Sequence, residues 1–216
     1  MGLSVRVEND ARAATRADWR FGAGRMVDNL VGISLGTGIG GGVVLDGHFA
    51  AGARAAAGEI GHLAIVSGGR KCTCPSRGCW EAYAGGWAIA ERAREAFSQS
   101  GSGRSAGAPR KESAAGVTAR SVFRRAREGD RLAVRLVRET EGYMADGVVS
   151  VANLFNPQRI VLSGGLLAGW PRLAVVMQRA VRERCQPPAA GVQVVRSKFG
   201  EDAALVGAAA AAWDAE

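Results

Sequence analysis

The sequence predicts an α/β protein. Short apolar runs of strand length alternate along the chain with segments of helical periodicity. Capping residues precede several of the helical segments, and glycine or proline closes them. A hydrophobic content of 47% over 216 residues is enough for a real core in one large domain or two small ones. No apolar run reaches the length of a membrane helix, and no internal repeat is present.

The elements follow in order. Val5-Arg6-Val7 alternates like a short strand. Glu8-Asn9-Asp10 opens a helix through about Phe21, and local sequence favours Asp10 as its N-cap. At a strand end and helix start, Asn9 and Asp10 would also face a cleft. Leu30 to Leu35 is a buried strand that runs into Gly36-Thr37-Gly38-Ile39-Gly40-Gly41. That run matches the dinucleotide fingerprint, with Glu59 at roughly the spacing of a ribose-binding acid. The fingerprint needs a helix after the glycines. Here Val43-Val44-Leu45 and then Asp46-Gly47, a strong hairpin signal, follow instead. The run also fits the protein-kinase glycine-loop spacing, but no HRD, DFG or Val-Ala-Ile-Lys comes after it. What remains is strand, glycine turn, strand. Its bare backbone N–H groups can approach phosphate oxygens, and Thr37 adds a hydroxyl. A plain glycine-rich hairpin is the competing reading; five glycines in the seven residues 36–42 favour close approach.

Ala50 to Gly58 is a small-residue stretch, poor as strand and as core. Glu59-Ile60-Gly61-His62 then places an acid and an imidazole three apart, on one face if this is a helical turn. A buried pair of that kind can grip hydroxyl groups. Cys72, Cys74 and Cys79 lie within eight residues, with His62 ten before the first. Three thiolates and one imidazole are a closed tetrahedral set for structural zinc. Gly68, Gly69, Pro75 and Gly78 make the loop tight. A disulfide would leave a third thiol over, and the first ten residues hold no signal-peptide core. If His62 holds metal through one nitrogen, its other nitrogen can reach a hydroxyl, and the same knot would position Glu81. The bland reading of Glu81 is an exposed first-turn helix acid.

Ala84 to Gln99 is helical, and residues 101–116 read as a flexible surface loop rich in Gly, Ser and Ala. Thr118 caps a short helix that ends near Gly129, and Asp130 caps a long one. Its stripe of Val137, Met144, Val148, Val151 and Phe155 faces the core, and Asn156-Pro157 stops it. Arg159 to Leu162 is a strand that ends in a second glycine turn, Ser163-Gly164-Gly165. Pro171 to Cys185 is helix, Val192 to Val195 strand, and Glu201 to Trp213 a last, alanine-rich helix. The net charge of +8 comes almost wholly from arginines spread along the chain, with Lys71, Lys111 and Lys198 the only lysines. Such a distribution reads as solvated surface and not as a nucleic-acid interface. The expected location is cytoplasmic.

Glu8-Asn9-Asp10, the run Gly36 to Gly42, Glu59-Ile60-Gly61-His62, Cys72-x-Cys74 with Gly78-Cys79-x-Glu81, and Ile160 to Gly165 together resemble the ROK family. That family groups bacterial sugar kinases and sugar-responsive repressors on an actin/hexokinase-like, ribonuclease H-like ATPase fold. The resemblance spans essentially residues 1–216, read as the large C-terminal lobe, with a zinc and sugar segment over 58–83. It implies that Asp10 is the general base toward a sugar hydroxyl and that Asn9, Glu59, His62 and Glu81 contact the sugar. It implies His62, Cys72, Cys74 and Cys79 as ligands of a structural Zn²⁺. Gly36, Thr37, Gly38 and Gly40 would form a phosphate loop and Gly164-Gly165 the adenosine-side turn, with ATP and Mg²⁺ as co-substrate. On this resemblance Asp10 is base before it is cap. A homodimer without membrane or nucleic-acid contact is implied.

Two departures stand out. Pro75 replaces the glycine usual after the second cysteine, which tightens the knot without removing a ligand. The Asp-x-Gly-x-Thr loop of the family's first lobe, and the helix-turn-helix of its repressors, are both absent from this sequence. The chain alone is therefore expected to be a poor kinase, with Leu205, Val206 and Trp213 of the last helix facing water. A hexose kinase of glucokinase type, a repressor's sugar-sensing domain and a vestigial zinc-binding fragment are the three readings.

Overall fold

A computed structural model describes residues 5, 7–100 and 116–213. Eight α-helices and five strands are formed among them. The sheet is built from β1 (Leu30–Leu35), β2 (Ile39–Leu45), β3 (His48–Phe49), β4 (Arg159–Ser163) and β5 (Gln193–Arg196). Its order is β3-β2-β1-β4-β5. The hairpin pairs β1 and β2 antiparallel with Leu35 opposite Ile39, and β1, β4 and β5 run parallel. Asp46 and Gly47, at φ of 49° and 73°, make the β2–β3 turn that their sequence predicts.

The pleat sorts the side chains of β1 between two layers. Val31, Ile33 and Leu35 face the main core, together with Ile160 and Leu162 of β4. That core is closed by α5 (Arg131–Phe155) and α7 (Leu173–Arg184). Leu30, Val44 and Val161 face the opposite layer, where α1 (Asp10–Phe21) lies. Small residues set its close approach: a methyl group at Gly32 would come within 2.1 Å of Thr15 Oγ1. The last helix, α8 (Ala203–Trp213), crosses α1 just as closely, and a methyl at Gly207 would sit 1.6 Å from the Ala13 carbonyl oxygen. Leu205 and Trp213 remain exposed on its far side, and Val206 is half-buried.

Local chemistry sets the ends of these helices. Thr118 and Ser121 form a capping box ahead of α4 (Ala119–Arg127). Asp130 caps α5 through the N–H groups of Leu132 and Ala133, and Asn156 ends it in the left-handed region. The helix expected over Ala84 to Gln99 forms as α3 (Gly86–Ser100), and a one-turn helix, α2 (Glu81–Ala84), precedes it across Gly85. A one-turn helix, α6 (Leu166–Gly169), follows the second glycine turn and has no periodic signal of its own. Two expectations change. Val5 and Val7 form no strand and are almost fully exposed, while Arg6 lies outside the described residues. The expected flexible loop 101–116 lies outside them too, save Gly116. No helix among the described residues is long and apolar enough to cross a membrane.

Candidate functional site

The glycine hairpin is the point where five segments of the chain meet. Its first strand ends beside β4, with Ser34 opposite Ser163, so the turns Gly36–Gly38 and Gly164-Gly165 lie side by side at the carboxyl ends of parallel strands. Ligands of open α/β sheets bind at such an edge. Gly164 has φ of +95° and a methyl there would lie 2.5 Å from the Leu35 carbonyl oxygen, so only glycine fits.

Most glycines of the run serve the approach of protein, not of open space. A methyl at Gly38 would meet Glu81 Oε2 at 2.3 Å, and one at Gly40 would meet the Ala11 methyl at 2.6 Å. A methyl at Gly61 would meet the Ile39 carbonyl oxygen at 1.9 Å. At Gly36 nothing lies within 4 Å of that position, so this glycine alone of the turn faces an open approach. The N-terminus of α3 locks the same turn, with the Gly86 N–H donating to the Gly36 carbonyl and the Trp87 N–H to the Thr37 carbonyl. The hairpin is therefore held from four sides: by α1 at Gly40, by α2 at Gly38, by α3 at Gly36 and Thr37, and by the Ile60–His62 turn at Ile39.

Asn9 and Asp10 stand at the exposed start of α1. The N-cap is Asn9 and not Asp10: its Oδ1 accepts from the N–H groups of Ala11 (3.0 Å) and Arg12 (3.2 Å). Asp10 is the first helical residue, its Oδ1 accepting from the Ala11 N–H at 2.7 Å. Two adjacent cap formers look alike in sequence; the extended backbone at position 9 decides between them.

Glu59 precedes the short 3-10 turn Ile60–His62 and is exposed, not buried as its pairing with His62 suggests; His62 is half-buried. Glu81 is the reverse case. Only 9% of it is exposed, and its carboxylate is a hub. Oε2 accepts the Ile39 N–H at 2.8 Å, while Oε1 accepts the Thr73 hydroxyl and the Trp87 indole N–H, each at 3.1 Å. One acid thus joins the glycine hairpin, the cysteine loop and α3. Sequence reasoning missed Thr73 and Trp87, because neither sits in a pattern that marks a carboxylate partner.

The cysteine loop is folded around its own donor set. The ligand atoms of His62, Cys72, Cys74 and Cys79 all lie within 4.8 Å of one another. Cys74 and Cys79 sulfurs are 3.7 Å apart and Cys72 Sγ is 3.6 Å from His62 Nδ1. A tetrahedron with Zn–S bonds of about 2.3 Å has S···S edges of about 3.7 Å, so the spacing fits that ion. Burial pushes the Cys79 thiol up to about 12, and Cys74 and Cys72 beside it add to the shift. The Ser76 N–H, at 3.5 Å from its sulfur, is the main reason that Cys74 sits below its ordinary value. A cation among these sulfurs would offset the charge of the thiolates that ligate it. Arg70 anchors the loop to α3 through Glu91 and Glu95, and its N–H donates to the Tyr83 hydroxyl at 2.7 Å.

The model of the ROK family matches residues 1–215. The chain is 35% identical over 212 residues to a glucokinase of Thermotoga maritima, covering 96% of this chain and 65% of that one. A ROK glucokinase of Streptomyces griseus, solved with glucose and AMPPNP, superposes with a TM-score of 0.82 at 32% identity, over 98% of this chain and 69% of that one. The xylose repressor of Bacillus subtilis is 27% identical over 95% of this chain and 49% of its own length. The chain thus spans about two thirds of the glucokinases and half of the repressor. A match of the family model along nearly the whole length, a shared α/β fold and the arrangement of motifs around one hairpin agree: the chain belongs to the ROK family.

Proposed function

We propose that this chain is the large lobe of an ATP-dependent ROK sugar kinase of glucokinase type. The observation that carries the proposal is that the segments bearing Asn9-Asp10, Glu59 to His62 and Glu81 all pack on the glycine hairpin, beside a second glycine turn. In this reading Asp10 takes the proton from the sugar hydroxyl as its oxygen attacks the γ-phosphorus of ATP. The carboxylate is exposed at the start of α1, where a substrate hydroxyl can reach it, as a general base requires. Asn9, Glu59, His62 and Glu81 orient the sugar; such positioning supplies much of the rate. Gly36 and Thr37 would face the transferred phosphate, with Gly38 and Gly40, packed on Glu81 and Ala11, shaping the turn behind them; Gly164-Gly165 would take the adenosine side, and Mg²⁺ entering with ATP offsets phosphate charge.

His62, Cys72, Cys74 and Cys79 would hold a structural Zn²⁺. Its contribution is order: it fixes His62 on one side and, through Thr73 and Glu81, the hairpin on the other. The similarity to the xylose repressor supports a second reading, a sugar-sensing domain built on the same contacts.

The test joins this chain to the first lobe of a relative and compares it with its Asp10→Ala variant. Loss of ATP-dependent glucose phosphorylation with glucose binding retained is expected of a kinase. A joined protein that binds glucose but never phosphorylates it, with or without Asp10, refutes the kinase reading and leaves the sensor.

A further inference from the structure

Two arginines of α1 are buried where helix surfaces normally carry solvated charge. Arg12 is 6% exposed and Arg16 is 5% exposed. They share one carboxylate: Glu8 makes two contacts of 3.1 Å with Arg16 and lies 3.7 Å from Arg12 Nε. Both guanidinium groups also stack over the Phe49 ring, at 5.2 Å for Arg12 and 4.6 Å for Arg16. Glu8 lies closer to Arg16 than to Arg12, and the buried Arg12 charge takes further partners.

Backbone oxygens supply them. Arg12 Nη1 donates to the carbonyls of Ala55 (3.1 Å), Ala51 (3.4 Å) and Ala57 (3.4 Å). Those three carbonyls belong to the segment 51–57, which has no helix or strand and is exposed over 51–56. The segment is bent by Gly52 and Ala55 at positive φ and runs directly into Glu59. Among the described residues, its backbone–backbone hydrogen bonds are internal: Ala55 N–H to the Gly52 carbonyl and Ala57 N–H to the Ala51 carbonyl. A planar, permanently charged fork with no acceptor of its own is suited to collect carbonyls in this way.

We propose that Arg12 is a positioning residue that fixes the 51–57 segment to the first turn of α1, and so sets Glu59 relative to Asp10 two residues before it. This rests on the sugar-site reading of Asn9, Asp10 and Glu59. The two faces of the site come from segments some fifty residues apart, and one guanidinium ties them. Arg16 and Glu8 hold Arg12 in place, and Phe49 at the end of β3 forms the floor.

The experiment compares wild type with Arg12→Met, which keeps the length of the stem, and Arg12→Lys, which keeps the charge but loses the fork. Hydrogen exchange at the Ala55 and Ala57 amides, glucose affinity by calorimetry and zinc content are measured on each. In wild type, glucose is expected to slow exchange at Ala55 and Ala57. Arg12→Met is expected to speed exchange there about tenfold or more and to weaken glucose binding about tenfold, with zinc content unchanged; Arg12→Lys should fall between. Faster exchange with unchanged glucose affinity refutes the positioning role. Unchanged exchange in both variants refutes the clamp itself. If the variants do not fold, glucose-independent exchange in a wild type that binds glucose refutes the proposal. A wild type that binds no glucose removes the sugar-site reading, and this proposal with it.

Discussion

Replacement of Glu81 by Gln tests whether this acid is a structural hub. The carboxylate accepts three hydrogen bonds, from the Ile39 N–H, the Thr73 hydroxyl and the Trp87 indole N–H. A glutamine oxygen can replace only one of the two carboxylate oxygens. If it faces Ile39, its amide N–H groups confront the Trp87 indole N–H, donor against donor. Thr73 is exposed and can turn its hydroxyl to accept, so the loss falls on Trp87 or Ile39. One buried donor left without a partner costs about 1–3 kcal/mol, and the lost charge-assisted bonds bring Glu81→Gln to about 2–3 kcal/mol. Glu81→Ala strands both N–H groups and leaves a cavity, for about 3–5 kcal/mol. For a chain of this size, 2–3 kcal/mol lowers Tm by roughly 5–10 °C. Urea unfolding followed by tryptophan fluorescence reads the change, with Glu59→Gln as an exposed-acid control expected within about 0.5 kcal/mol of wild type. If Glu81→Gln matches Glu59→Gln, Glu81 is no hub and the reasoning fails.

Other outcomes follow from single contacts. Metal analysis should find one zinc per chain and none in Cys79→Ser; because thiol protons must leave, affinity should rise with pH, and affinity indifferent to pH would count against thiolate ligation. Asp130 lies below its ordinary 3.8: burial pushes it up, but the Ala133 N–H, Arg125 and the Leu132 N–H outweigh that. Its contribution to stability is thus present above about pH 4 and lost as pH falls through the lower folded value; Asp130→Ala should cost about 1–2 kcal/mol at pH 7 and less below pH 3, and an equal cost at both would refute this. A methyl at Gly147 would come within 2.0 Å of the Trp80 ring, so Gly147→Ala should cost about 1–3 kcal/mol or more in urea unfolding. Combination with Trp80→Phe should restore part of that loss, helped by removal of an indole N–H that has no partner among the described residues.

The features legible in the sequence are those set within a few residues. Thr118 and Asp130 as caps, Asn156 as a stop, and Asp46-Gly47 as a turn act on their own neighbours. The clustering of His62, Cys72, Cys74 and Cys79 was legible because ligand chemistry restricts residue type and the loop is short. The choice between Asn9 and Asp10 was not, since both side chains offer the same oxygen and only the backbone at position 9 separates them.

By itself, then, the sequence determined the α/β class, nearly all of its elements and the cluster of His62 with three cysteines. Tertiary structure alone decided what those residues face. It set the strand order that brings the two glycine turns together, buried Glu81 and exposed Glu59, and turned most of the hairpin's glycines toward protein. It also drew three carbonyls onto Arg12. Each of these depends on atoms far apart along the chain, or on which face of a strand meets which helix. Periodicity and spacing report the neighbours of a residue along the chain; burial and hydrogen-bond partners are fixed only when distant segments pack.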